Sequence, residues 1–248
     1  MLIDNLAVIP LQFKYSCCAT CDLRPACPAK HASHIRRSSS VADYKFPLTR
    51  RDHLFRQGEK VKALYVLRTG SMKNYISIPH GTDHVVRFHL PGDVIALDAI
   101  GDQAHSSSVQ ALEDVSLCQI PASCIEDGCD VDLKLSMHLL RLTSTQVVRE
   151  QRRGLILSHR DAAERVALFL LQLSTRYRKH GLPECEFELN MSRGEIASYL
   201  ALTIETVSRA CTQFQSMGLI KFDHRRIHLL SLHHLKKTAK VEHLWLVQ

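Results

Sequence analysis

The 248-residue chain is 45% apolar and 23% charged, an ordinary globular composition with length for one large domain or two modest ones. A formal charge of +7, which 15 histidines can raise at lower pH, points to a polyanionic partner such as nucleic acid. No stretch approaches the roughly 20 apolar residues that a bilayer span requires, and "LAVIP" is short, broken by Pro10 and without a basic leader, so a cytoplasmic protein with no membrane partner is expected.

In that compartment nine cysteines suggest thiols or metal ligands rather than disulfides. Residues 1–44 show no clear period. They hold "CCATCDLRPACPAK", in which Cys17, Cys18, Cys21 and Cys27 crowd into eleven positions, followed by the linker-like "RRSSS". An appendage is expected here rather than a core. From 45 to 130, glycines at 58, 70, 81, 92 and 101 separate segments such as "KALYVLRTG", "HVVRFHLPGD" and "VSLCQIP", rich in β-branched and alternating apolar residues. Turn signals about every ten residues predict an antiparallel sandwich or jelly roll.

The pattern becomes helical over 131–158. Leu133, Leu140, Val147 and Gly154 recur every seven residues, with Met137, Ser144 and Gln151 four further on, the spacing of a seam between paired helices. Only half of these residues are strongly apolar, so the expected homodimer is weak and easily switched. A helix lying on its own β-domain is the alternative. Glu150 flanks the seam, where it would face its symmetry mate and oppose pairing.

Residues 159–248 open on a second helix, predicted over 158–181, capped by Asp161 or Ser158 and ended by Gly181 with Pro183. After a short strand, "CEFELN", comes "SRGEIASYLALTIETVSRACTQFQSMGLIKF", two short helices separated by "ALT". Ile196, Ala197, Leu200, Leu202, Val207, Ala210 and Phe214 fall where two crossed helices pack, and Thr203 can cap the second. "GLIKFDHRRIHLL" suggests a hairpin wing. On the second helix Ile204, Val207, Cys211 and Phe214 are assigned inward, and Glu205, Ser208, Arg209 and Thr212 outward. Outward residues near the start of such a helix reach base edges in the major groove of double-stranded DNA. Arg209 matches guanine O6 and N7, Glu205 the cytosine amino group, and Ser208 a base edge or phosphate. The alternative is a surface salt bridge between Glu205 and Arg209. Arg193, Thr203 and Thr212, with Lys221, Arg225 and Arg226, are candidate backbone contacts.

The order of β-domain, seam helix and winged helix resembles the CRP/FNR superfamily of transcription regulators. The resemblance implies an α+β protein that is not an enzyme: a jelly-roll sensor (β-roll), a dimerisation helix and a DNA-binding winged helix. Cyclic-nucleotide binders of that superfamily use a Gly-Glu pair and a buried Arg-Ser or Arg-Thr, which "GDVIALDAIGDQAHSSSVQALEDVSLC" lacks. The spacing Cys18-x2-Cys21-x5-Cys27 with Cys118 is similar to the oxygen-responsive FNR type, as are "FHLPGDVIALDAIG" and "MSRGEIASYLALTIETVSR". The resemblance implies that these four thiolates hold one 4Fe-4S cluster, that the half-site is of the TTGAT type, and that the loop from Asp98 to Gly101 touches RNA polymerase. Zinc on the same four thiolates, a different small ligand in the β-roll, and a redox protein using the cluster for chemistry are the alternatives. Cys17 is left as a spare thiol, and Cys124, Cys129, Cys185 and Cys211 as buried or unreactive ones. Ala201 stands at the turn where the family usually has glycine.

Overall fold

The computed structural model describes residues 45–79, 81–98, 101, 104–121 and 133–241. The α+β class expected from the sequence is the one observed. Two four-stranded sheets, antiparallel at every pairing, form the N-terminal domain. One has the order β1 (Lys45–Leu48), β8 (Val115–Pro121), β3 (Ala63–Thr69), β6 (Val94–Ile95). The other runs β2 (His53–Phe55), β7 (Ser108–Ala111), β4 (Met72–Ile76), β5 (His84–His89). Leu64, Val66, Leu67, Met72, Ile95, Val109 and Leu117 belong to the buried core of this domain. The turn from β3 to β4 needs Gly70: its φ is +81°, and a Cβ there would come within 2.7 Å of the Asp114 carbonyl.

Helix α1 (Leu133–His159) has two apolar faces. Leu139 packs against the core of the β-domain, and Ile156 into a second core built around the C-terminal domain. Met137, Leu140, Val147 and Leu155 are 43–61% exposed on the other side. The helix therefore lies on its own β-domain and still presents an apolar stripe.

Asp161 caps α2 (Ala162–Lys179) by accepting from the Glu164 N–H, and α2 is the spine of the second core. Around it pack α3 (Arg193–Leu200), α4 (Ile204–Ser216), α5 (Leu232–Thr238) and a three-stranded sheet of order β10 (Ile220–Asp223), β11 (Arg226–Leu229), β9 (Glu186–Glu188). Glu164, almost fully buried, pairs with Arg160 and with Lys240 just beyond α5. The β-roll is tied to this domain by Phe88, Phe169 and Tyr199, whose ring centroids lie 5.2–5.9 Å apart. The Lys73–Glu195 ion pair (2.9 Å) and the Val85 N–H donating to Ser198 Oγ (2.9 Å) add polar ties. No helix among the described residues is long and apolar enough to cross a membrane.

His89, at the end of β5, is 3% exposed and neither ring nitrogen has a hydrogen-bond partner among the described residues. Burial drives its pKa from 6.5 to about 3, overriding the favourable charge of Asp93; Arg87 and Arg176 push the same way as burial. The unfolded chain therefore takes up a proton below pH 6.5 that the folded chain refuses. This contribution to stability is complete above pH 6.5 and falls as pH drops toward 3. His89→Leu is expected to flatten the decline in urea midpoint between pH 7 and pH 5 without lowering the midpoint at pH 7. A midpoint that declines as steeply in the variant would show that His89 is not the group responsible.

Candidate nucleic-acid interface and cysteine site

The helix-turn-helix is built from local signals. Ser192 and Glu195 form a reciprocal capping box at the start of α3, the Ser192 hydroxyl accepting from the Glu195 N–H and the Glu195 carboxylate from the Ser192 N–H. Ala201 ends α3 in the left-handed region at φ 52°. Thr203 then caps α4, its hydroxyl accepting from the Thr206 N–H. Ile196, Ala197, Leu200, Val207, Ala210, Cys211 and Phe214 are buried between the helices and their support, and Leu202 packs against them. Ile204 corrects the inward assignment made from the sequence: it is 52% exposed, because in the first turn of α4 its side chain leans back over Gly194 instead of into the core.

A non-glycine residue in the left-handed conformation costs about 1 kcal/mol or more. Part of that is offset because alanine restricts the unfolded chain more than glycine does. Ala201→Gly should therefore stabilise the protein by about 0.5–1 kcal/mol, read as a rise in the denaturation midpoint; a fall would show that the turn tolerates alanine without strain.

On α4, Glu205, Arg209 and Thr212 are exposed and Ser208 is half-buried, side by side on the surface away from the core. The Glu205 carboxyl is held below its ordinary pKa first by its own backbone N–H and then by the Thr203 hydroxyl, with a smaller pull from Arg209. Among the described residues no ion pair closes between Glu205 and Arg209, so the guanidinium fork is not consumed by a salt bridge. Thr212 Oγ donates back to the Ser208 carbonyl (3.1 Å). Beside α4 the wing turn holds His224, at φ 52°, and exposed Arg225, with exposed Lys221 on β10. Arg193 stacks on the Phe222 ring at 4.3 Å, which fixes its guanidinium near the wing. Arg226 is a correction to the candidate phosphate contacts, since it pairs with Glu186 (3.3 Å) and Glu188 (3.8 Å) across the β11–β9 register.

Cys18, Cys21 and Cys27, with Cys17, Cys124 and Cys129, lie outside the described residues. Cys118 sits in β8, half-buried, on the opposite face of the sheet from fully buried Leu117. It is directly opposite Lys45 in β1 and Val66 in β3. Lys45, 18 residues after Cys27 in sequence, thus lies directly opposite Cys118. The buried Arg68 guanidinium reaches its sulfur at 3.9 Å, and a cation against sulfur is the environment that favours a thiolate ligand. Both features fit a cluster shared between the N-terminal segment and β8. Among the described residues no three His, Cys, Asp or Glu side chains gather as a metal site. Cys211 is buried, whereas Cys185 is exposed, with partial desolvation and then Glu184 pushing its thiol pKa up, which disfavours the reactive thiolate.

Along the predicted seam, Met137, Leu140, Ser144, Val147, Gln151 and Gly154 are all exposed, and a Cβ on Gly154 would meet nothing within 4 Å. Leu133 begins α1. Glu150 does not stand bare on this face: its carboxylate accepts from Arg87 of β5 at 2.6 Å and lies 3.5 Å from Arg153. Asp98, exposed after β6, accepts from the Ser106 hydroxyl, and Gly101 is exposed nearby.

Residues 45–132 match the family model for the cyclic nucleotide-binding domain and residues 164–238 that for the Crp-like helix-turn-helix domain. The chain is 34% identical over 224 residues to electron transport regulator A of Shewanella oneidensis, covering 90% of each protein. It is 35% identical over 205 residues to the fumarate and nitrate reduction regulatory protein of Escherichia coli K12, covering 82% of each. FixK2 from Bradyrhizobium japonicum superposes with a TM-score of 0.72 at 29% identity, over 78% of this chain and 96% of that one. With both domain models matched in order and relatives of this similarity along nearly their whole length, the chain belongs to the CRP/FNR family of transcription regulators, which are not enzymes.

Proposed function

We propose that the protein binds an inverted repeat of TTGAT-type half-sites in double-stranded DNA as a homodimer, with Cys18, Cys21, Cys27 and Cys118 holding an oxygen-labile 4Fe-4S cluster that controls the binding. The observation that carries the DNA-binding half is the row of Glu205, Ser208 and Arg209 at the N-terminal half of α4, accessible and uncommitted to a salt bridge. Arg209 donates to guanine, Glu205 accepts from cytosine and Ser208 reaches a neighbouring edge, while Arg193, Thr203, Thr212, Lys221 and Arg225 take the phosphates. The exposed stripe through Leu140 and Val147 buries itself against a second α1, which spaces two recognition helices about one turn of DNA apart. Asp98 and Gly101 are exposed and thus available for the RNA polymerase contact.

When bound, the cluster supplies an oxygen-labile tie between the N-terminal segment and β8. The chain's own part is to present Cys118 beside Arg68 and opposite Lys45. Protein prepared without air should bind a TTGAT inverted-repeat duplex at two chains per duplex, and the same sample should lose specific binding after exposure to air. Equal affinity before and after air would refute the cluster control; equal affinity for a scrambled duplex would refute the half-site.

A further inference from the structure

Between the β-roll and the helices that follow it, a cavity of about 110 Å³ opens where α1, β5 and α2 meet, and seven cationic side chains line it against two carboxylates. Both carboxylates are already committed. Asp93 pairs with Arg176, and Glu150 with Arg87 and Arg153. Arg153 is further fixed by donating to the Val86 carbonyl (3.0 Å) and by stacking on the Tyr199 ring (4.7 Å). Arg149 and Lys179, from α1 and α2, reach the same space with no hydrogen bond or ion pair among the described residues.

Arg149 and Lys179 keep exposed tips, but like charges brought this close repel, and a bound anion would offset that repulsion. We propose that this cavity is a binding site for a phosphoryl anion, free or as the head of a small phosphorylated molecule, with Arg149 and Lys179 as its principal ligands. Arginine forks and a lysine ammonium are suited to tetrahedral oxyanions, and the Phe88, Phe169 and Tyr199 side chains form an apolar floor that keeps the local dielectric low. The chemistry of the pocket agrees with this: burial, and then the neighbouring cations Arg176 and Arg87, lower the Arg149 pKa against the opposing pull of Asp93, and burial followed by Arg149 lowers that of Lys179. A bound anion would tie the seam helix, the sensor sheet and the first helix of the DNA-binding domain together through one ligand. The site is separate from the cluster and from α4, and does not depend on the function proposed for either.

Thermal unfolding and calorimetry of the full-length protein with inorganic phosphate, pyrophosphate and glycerol 3-phosphate, against sodium chloride at matched ionic strength, test the site. Pyrophosphate is expected to raise the midpoint saturably, at one anion per chain, beyond the chloride control. A larger effect of glycerol 3-phosphate than of inorganic phosphate would assign the site to a phosphorylated molecule, and the reverse to the free ion. The double variant Arg149→Gln with Lys179→Gln should lose the response while its midpoint without anion stays at or above that of the parent, because repulsion is relieved. Should that variant fail to fold, Lys179→Gln alone should weaken pyrophosphate binding about tenfold. Arg209→Ala should leave the response unchanged, which separates this cavity from the DNA-facing surface. No rise above the chloride control with any of the three probes, or a rise of equal size in the double variant, overturns the proposal.

Discussion

Arg209→Ala is expected to lower affinity for a TTGAT-type inverted repeat by about 1–3 kcal/mol per half-site, roughly 5- to 150-fold, while leaving the thermal midpoint within experimental error. The two halves of that expectation have different physical origins. Arg209 is exposed and makes no ion pair among the described residues, so its loss removes nothing from the core beneath α4, where Val207, Ala210, Cys211 and Phe214 remain packed. The loss in binding comes from a guanine O6 and N7 left without a bidentate partner inside a desolvated groove. Lys221→Ala supplies the contrast: removing an ammonium that neutralises one phosphate should weaken all duplexes similarly and reduce the slope of log affinity against log salt by about 1. Fluorescence anisotropy with duplexes altered at the half-site guanine separates the two. If Arg209→Ala kept its preference for the guanine-bearing half-site, α4 would not be reading that base.

The contrast between these residues and Arg226 shows what local pattern reveals. The helix-turn-helix is legible because its signals are short-range: Ser192 and Glu195 three apart, Thr203 as cap, and apolar residues returning with the helical period. The left-handed turn could be anticipated from the family's glycine at position 201. Arg226 is engaged by Glu186 and Glu188, which reach it through strand pairing across some forty residues of sequence, and no local pattern reports that. Ile204 fails for a different reason, since periodicity places a residue on a face but not at the first turn, where there is no preceding helix to cover it. On α1 the seven-residue recurrence identifies the exposed stripe but not the buried one through Leu139 and Ile156, because both faces are apolar. Arg152 and Arg153 look like solvated surface in the sequence but are half-buried beside β5 and α2, whereas Arg149 stays exposed. Glu150, expected to oppose its symmetry mate, has its charge met within the chain by Arg87, so in the proposed dimer it would add less repulsion than the sequence implied.

In the proposed dimer, that smaller repulsion would leave control of pairing to the N-terminal segment, and Cys118 is where this proposal can be tested hardest. Cys118→Ala is expected to abolish retention of iron and acid-labile sulfide in protein purified without air, where the parent holds the two in near-equal amounts. The fold should survive, because the Cys118 side chain is small and half-buried, and its strand neighbours Leu117 and Ile120 stay buried. Cys21→Ala should give the same loss if the N-terminal segment and β8 serve one site, whereas Cys185→Ala, exposed on the far domain, should change nothing. Zinc in place of iron and sulfide in the parent would remove oxygen sensing and leave the Arg209 effect standing, since the two rest on separate domains. Full iron and sulfide in Cys118→Ala would mean that the ligands all lie elsewhere. The placement of Cys118 against Arg68 and Lys45 would then have no part in coupling the N-terminal segment to the seam.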